Sequence, residues 1–183
     1  MKKLLVFGAS NSRQSINQQL ATWAAGQIAE AELDIIDLND FETVLYSIDR
    51  EKTEGIPAEA HAFKKHIEAA DGIVISFAEH NGSYTVAFKN IFDWVSRLGS
   101  KVWMQKPMLL LATSPGRRGG SSVLHEAVTR FPFMGGQVVA HFSLPEFGKK
   151  FSTEMGITDT ELAQQFSEQA TLFSNALEEV AAE

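Results

Sequence analysis

Apolar positions in this chain follow two rhythms that alternate along its length. Short, largely apolar runs occur at residues 4–7, 33–36, 72–77, 108–112 and 137–142. Runs of that length that do not alternate apolar with polar suit strands covered on both faces, so a parallel sheet is predicted. Between the runs, apolar residues return at helical spacing. Ile16, Leu20, Trp23, Ala24 and Ile28 share one helical face, as do Phe166, Ala170, Phe173, Leu177 and Val180. Helices are also predicted over 57–70, 84–97 and 121–131. Five strands and five helices in strict alternation specify a doubly wound α/β domain over residues 1–183. The expected architecture is a five-stranded parallel sheet of order 2-1-3-4-5 with helices on both faces. The longest irregular stretch, 39–57, is expected to be a partly ordered lid or an oligomer contact.

Composition narrows the possible functions. A chain of 183 residues with 44% apolar and 21% charged residues supports a full globular core. Its net charge of −7 argues against nucleic acid and an acidic membrane surface as partners. The apolar run at the N-terminus is too short for a signal peptide, and no run is long enough to span a membrane. Cysteine is absent, which removes disulfides, thiolate catalysis and Cys-ligated metals; no metal site is expected. The expected location is the cytoplasm.

In open α/β sheets, ligands bind beyond the carboxyl ends of the strands, where the strand order reverses. The loops after Phe7, Phe77 and Ala112 therefore matter most. The first runs from Gly8 to Asn17 as G-A-S-N-S-R-Q-S-I-N, between a strand and a helix. Such a junction offers unpaired backbone N–H groups and the positive end of a helix dipole to an anion. Ser10, Ser12 and Ser15 can donate to phosphate oxygens, and Arg13 can neutralise them. The same residues also suit ordinary helix capping. The loop is neither a Walker A sequence nor a dinucleotide fingerprint.

The second loop is Ala78-Glu79-His80-Asn81-Gly82-Ser83-Tyr84. It presents an amide, backbone N–H groups near Gly82 and the ring of His80, a set able to read the edge of a flat heterocycle. Asn-Gly is equally a turn signal. The third loop, Thr113-Ser114-Pro115-Gly116-Arg117-Arg118-Gly119-Gly120-Ser121, lets backbone approach a ligand closely. Its paired arginines suit the phosphate of a pyridine nucleotide, or simply solvation.

Together the three loops, with the F-K-N…D-W that follows the second, resemble the NADPH-dependent FMN reductase family over residues 1–140. That resemblance implies a flavodoxin-like fold, bound FMN, and NADPH or NADH as electron donor. It implies that Ser10, Arg13, Ser15 and Asn17 hold the FMN phosphate. Glu79, His80, Asn81, Gly82 and Ser83 would line the isoalloxazine ring, with Ser114, Gly116 and Gly119 on its other side. The second loop departs from the family's usual Pro-Glu-Tyr-Asn at Ala78 and His80, which bears on FMN affinity and on substrate preference.

The implied activity is ping-pong reduction of a small acceptor through FMN: a quinone, flavin, azo compound or metal oxyanion. The flavin carries the chemistry, and His80 is the one candidate proton donor in the motif loops. Two other readings remain, a flavodoxin-like electron carrier and a flavin-sensing interaction module. Arg13 argues against the carrier. The resemblance also implies a homodimer or homotetramer. Trp94, Trp103, Phe131 and Phe133 are candidates for interface anchors or for core.

Overall fold

The most apolar runs become the centre of the sheet. In the computed structural model, which describes the backbone of residues 1–182 and the side chains of residues 1–179, five strands form one parallel sheet. They are β1 (Lys2–Ala9), β2 (Ala31–Ile35), β3 (Gly72–Phe77), β4 (Pro107–Thr113) and β5 (Gln137–Leu144), in the order β2-β1-β3-β4-β5. Every residue of β3 and β4 is buried, as is β1 from Leu4 onward. The edge strands β2 and β5 are only partly covered, so the expectation of burial on both faces fails there. Each edge strand has a neighbour on one side only, and its apolar run is correspondingly diluted.

Alternation along the strands divides the core. Leu5, Phe7, Ile73, Ile75 and Leu110 face α3 (Ala58–Ala69), α4 (Val86–Ser96) and α5 (Ser121–Arg130). Leu4, Val6, Val74, Leu109 and Leu111 face α1 (Ile16–Gly26) and α7 (Thr160–Ala182). Phe166, Ala170, Phe173 and Leu177 of α7 are buried as their spacing predicts; the side chain of Val180 lies outside the described residues. Each large side chain so buried stabilises the fold by about 1.5–3 kcal/mol. Trp94, Trp103 and Phe131 belong to this core, at 0% exposure, whereas Phe133 is 70% exposed.

The stretch 39–57 is more ordered than its composition suggests. It holds the end of a 3₁₀ turn (Leu38–Phe41) and α2 (Ile48–Glu54). Polar side chains of α4 hold it down. Asn90 Nδ2 donates to the carbonyls of Thr43 and Val44, Asn90 Oδ1 accepts from Tyr46 N–H, and Trp94 Nε1 donates to Val44. Helix α6 (Phe147–Lys150) and the strand pair β6 (Phe151–Ser152) and β7 (Gly156–Ile157) complete the chain before α7. These short pieces lie below the length at which periodicity is informative.

Candidate functional site

Strand order reverses between β1 and β3, and the three loops meet at that end of the sheet. Gly8 lets the first loop leave β1 beside α1: a Cβ there would stand 2.5 Å from the backbone nitrogen of Gln18. Ser15 is the N-cap of α1, its hydroxyl oxygen accepting from Gln18 N–H at 3.1 Å. Ser15-x-x-Gln18 has the spacing of a capping box, but the Gln18 side chain instead accepts from Gly8 N–H at 2.6 Å. Helix and strand are thereby locked together under the loop.

Above this lock lies a cavity of about 120 Å³ lined by Ser10, Ser12, Arg13, Gln14, Ser15, Gln18, Gln19 and Asp37. Backbone N–H groups of Asn11, Arg13, Gln14, Ile16 and Asn17 have no acceptor among the described residues. Several donors at a helix N-terminus beside a guanidinium make a cradle for a dianion. The one carboxylate in the wall, Asp37, is occupied by Asn39, accepting from its backbone N–H at 2.9 Å and its amide at 2.7 Å. A phosphate group fits this donor set. Ser10, Arg13 and Ser15 are thus brought together as expected.

The side chain of Asn17 is not. It is 2% exposed and lies beneath the loop, where its oxygen accepts from Ser76 Oγ at 2.7 Å and Thr113 N–H at 3.0 Å. Its amide nitrogen donates to the Thr113 carbonyl at 3.1 Å. Both ends of the side chain are engaged in joining α1 to β3 and β4, so only the Asn17 backbone can face an anion.

The second loop is a tight turn. His80 and Ser83 exchange backbone hydrogen bonds at 3.0 and 3.1 Å, and Asn81 and Gly82 carry φ of +52° and +82°. Positive φ at both central positions defines a type I′ turn, for which Asn-Gly is the favoured pair. Asn81 and Gly82 are exposed at its tip. The side chains of Glu79 and Ser83 turn away to α5. Glu79 Oε2 accepts from Val123 N–H at 3.0 Å, and Ser83 Oγ donates to Glu126 Oε2 at 2.7 Å. The ring of His80 borders a second cavity, of about 270 Å³, between the second loop and the 38–45 segment, whose wall includes Asn11, Phe41, Leu45 and Val86.

In the third loop, Ser114 and Gly116 lie on the outer side, Ser114 Oγ donating to the Gly116 carbonyl at 3.3 Å. Gly119 is buried against β5 instead. With φ of +58°, a Cβ there would lie 2.5 Å from Ser143 Oγ and 2.9 Å from Pro145 N. Its small size serves packing. Arg118 donates to Ser122 Oγ at 2.6 Å, and Arg117 is exposed.

Sequence reasoning missed Gln14 and Asp37 in the cradle and Glu126 behind the second loop. Gln14 sits among singled-out residues and its position was the available signal. Asp37 and Glu126 arrive from other elements, and no local pattern marks them.

A family model for NADPH-dependent FMN reductase matches residues 2–149. The chain belongs to that family. Membership implies FMN as cofactor with NAD(P)H as electron donor. The chain is 33% identical over 122 residues to a quinone reductase of Escherichia coli, and 38% identical over 120 residues to a 2-hydroxy-1,4-benzoquinone reductase of a Burkholderia species. Those alignments cover 66% and 64% of this chain and 63% of each relative. Among solved structures, FerB, a flavoenzyme NAD(P)H:(acceptor) oxidoreductase from Paracoccus denitrificans, superposes with a TM-score of 0.76 at 23% identity. That match covers 98% of both chains and establishes the flavodoxin-like fold. No helix of the described residues is long and apolar enough to cross a membrane.

Proposed function

We propose that this protein is an FMN-dependent NAD(P)H oxidoreductase that reduces small acceptors, quinones first among them. The observation that carries this reading is the cradle of unpartnered N–H groups around Ser10–Ser15, at the switch point of a family-typical sheet. Bound FMN supplies two-electron transfer between the nicotinamide donor and the acceptor. Arg13, the loop hydroxyls and the first turn of α1 hold the phosphate. The turn tip at Asn81 and Gly82 offers backbone N–H groups to one side of the flat ring, and the outer part of the third loop at Ser114 and Gly116 closes the other. Donor and acceptor use one face in turn, in a ping-pong sequence, and the walls exclude water while a reactant is present.

His80 is the proton source for a carbonyl acceptor, because it borders the 270 Å³ cavity and an imidazole N–H can donate there. Arg117 reads the 2′-phosphate that distinguishes NADPH from NADH; equal kcat/KM for the two donors would remove that role. Free flavins, azo compounds and metal oxyanions are further acceptors to assay. The chain acts as a cytoplasmic homodimer or homotetramer, in keeping with the exposure of Leu45 at 66%, Val86 at 71% and Phe133 at 70%. Sedimentation velocity tests the assembly.

The deciding experiment is spectroscopic. Purified protein, supplied with FMN if colourless, is expected to show a bound-flavin band that bleaches on anaerobic addition of NADPH and returns when a quinone is added. A bound flavin that NADPH reduces only slowly would instead support the electron carrier or the flavin-sensing module. No flavin binding would end all three readings.

A further inference from the structure

Two carboxylates join the second loop to α5, and they run in opposite directions. Glu79, from the loop, accepts from the Val123 N–H of the helix at 3.0 Å. Glu126, from the helix, accepts from the Ser83 hydroxyl of the loop at 2.7 Å. Glu79 precedes the His80–Ser83 turn and Ser83 closes it, so the turn is fastened at both ends. Val123 and Glu126 are three residues apart in α5 and lie on the same side of it. Helix α5 needs the first contact, because its N-cap is Gly120, which has no side chain to cap it. The second contact lies past the first turn of the helix and caps none of its backbone groups, and it fastens the loop.

The helix is a firm anchor. It begins where the third loop ends; Gly119 is seated against β5 with no room for a Cβ, and a Cβ on Gly120 would stand 3.0 Å from Ala112 Cβ of β4. Val123, Leu124 and Ala127 are buried in the core. The turn tip, by contrast, is exposed at Asn81 and Gly82. A hydrogen bond to a charged acceptor is roughly twice as strong as a neutral one, which suits a carboxylate to holding an exposed turn.

We propose that Glu79 and Glu126 form a reciprocal clasp that sets the separation of the second and third loops, and with it the width of the slot that receives the flat ring of the cofactor. Both are positioning residues, acting through Val123 and Ser83. The inference rests on the FMN reading and goes beyond it, because it assigns ring affinity to carboxylates that do not themselves face the ring.

The test titrates flavin-free full-length protein with FMN and with riboflavin, which carries the ring without the phosphate. Glu126→Ala and Ser83→Ala are each expected to weaken both ligands by the same factor, about tenfold, the size of one hydrogen bond. The double variant is expected to be no weaker than either single one, because the two side chains form one contact. Glu126→Gln is expected to lose less affinity than Glu126→Ala, since its amide oxygen still accepts from Ser83 but without the charge. In the flavin-free protein, amide exchange at residues 81–83 is expected to rise in Glu126→Ala. Glu79→Ala also uncaps α5, so it counts only where circular dichroism shows a native fold. Wild-type affinity for both flavins in Glu126→Ala overturns the clasp. So does a loss confined to FMN, which would trace the effect to the phosphate cradle. A wild-type protein that binds neither flavin sinks the FMN reading, and the clasp with it, and is recognised because the parent rather than the variant fails.

Discussion

The first loop and the layer beneath it use similar residue types for opposite ends. In the loop, Ser10, Ser12, Arg13 and Ser15 surround a cavity, and five backbone N–H groups have no acceptor among the described residues. Just below, Asn17, Ser76 and Thr113 form a buried node in which each side chain is engaged: Asn17 by Ser76 and Thr113, and Thr113 Oγ1 by donating to the Leu144 carbonyl at 2.6 Å. A binding site needs donors without partners; a fold needs buried polar groups with them. Residue type does not distinguish the two, and hydrogen-bond accounting does.

The comparison is broken most forcefully at the node. Asn17→Ala strips partners from Ser76 and from both backbone groups of Thr113, inside the protein. It is expected to cost about 2–4 kcal/mol of stability, read by denaturant unfolding, because each orphaned buried group costs about 1–3 kcal/mol. A cost below about 1 kcal/mol would show that Asn17 is not a structural tie. In the loop, Arg13→Ala is expected to weaken FMN binding by about 1–3 kcal/mol while moving stability by less than about 0.5 kcal/mol, since an exposed side chain without protein partners contributes little to the fold. Equal flavin retention in that variant would remove Arg13 from the cradle.

The same distinction explains what could be read from the sequence. Sheet order and the three loops were legible, because largely apolar runs at Leu4–Phe7 and Gly72–Phe77 and a Ser/Asn/Arg junction before Ile16 are local patterns. The roles of Asn17, Glu79, Ser83 and Gly119 were not, because each is decided by a partner far along the chain. Thr113 lies 96 residues from Asn17, and Val123 lies 44 from Glu79. The order within the segment 39–57 was hidden for the same reason. Its order comes from Asn90 and Trp94 of α4, at separations of 44 to 50 residues.

Two smaller cases sharpen the comparison, since each mixes its terms. Tyr84 is buried yet unpartnered. It is 7% exposed among Phe77, Phe88 and Phe131, its hydroxyl has no hydrogen bond among the described residues, and burial, aided by the charge of Glu126, pushes its pKa well above the usual tyrosine value. Tyr84→Phe removes the orphan without changing the ring, and is expected to be neutral or stabilising by up to about 1 kcal/mol, read as a rise in Tm. A clear loss of stability would mean the hydroxyl has a partner, such as an ordered water.

Glu51 is the converse, partly exposed yet partnered. The Arg97 guanidinium donates to both its carboxylate oxygens, at 3.1 and 3.0 Å, and the Tyr46 hydroxyl donates at 3.0 Å. The hydrogen bond from Arg97 holds the Glu51 pKa below its ordinary value of 4.5, against a weaker opposing push from desolvation. A carboxyl whose pKa is lower in the folded state favours folding above its unfolded pKa. That contribution fades as pH falls through the lowered folded value. The contact fastens α2 to α4, so acid should loosen the 42–51 segment before it loosens the sheet. Glu51→Gln is expected to flatten the pH dependence of amide exchange in that segment as pH falls through and below the ordinary carboxyl range, while leaving the core unchanged. This is the smallest of the expected effects, because solvent screens an exposed pair. An unchanged pH profile in Glu51→Gln would show that Asn90 and Trp94 hold the segment unaided, and that this partly exposed, partnered group contributes no more than the free donors of the cradle.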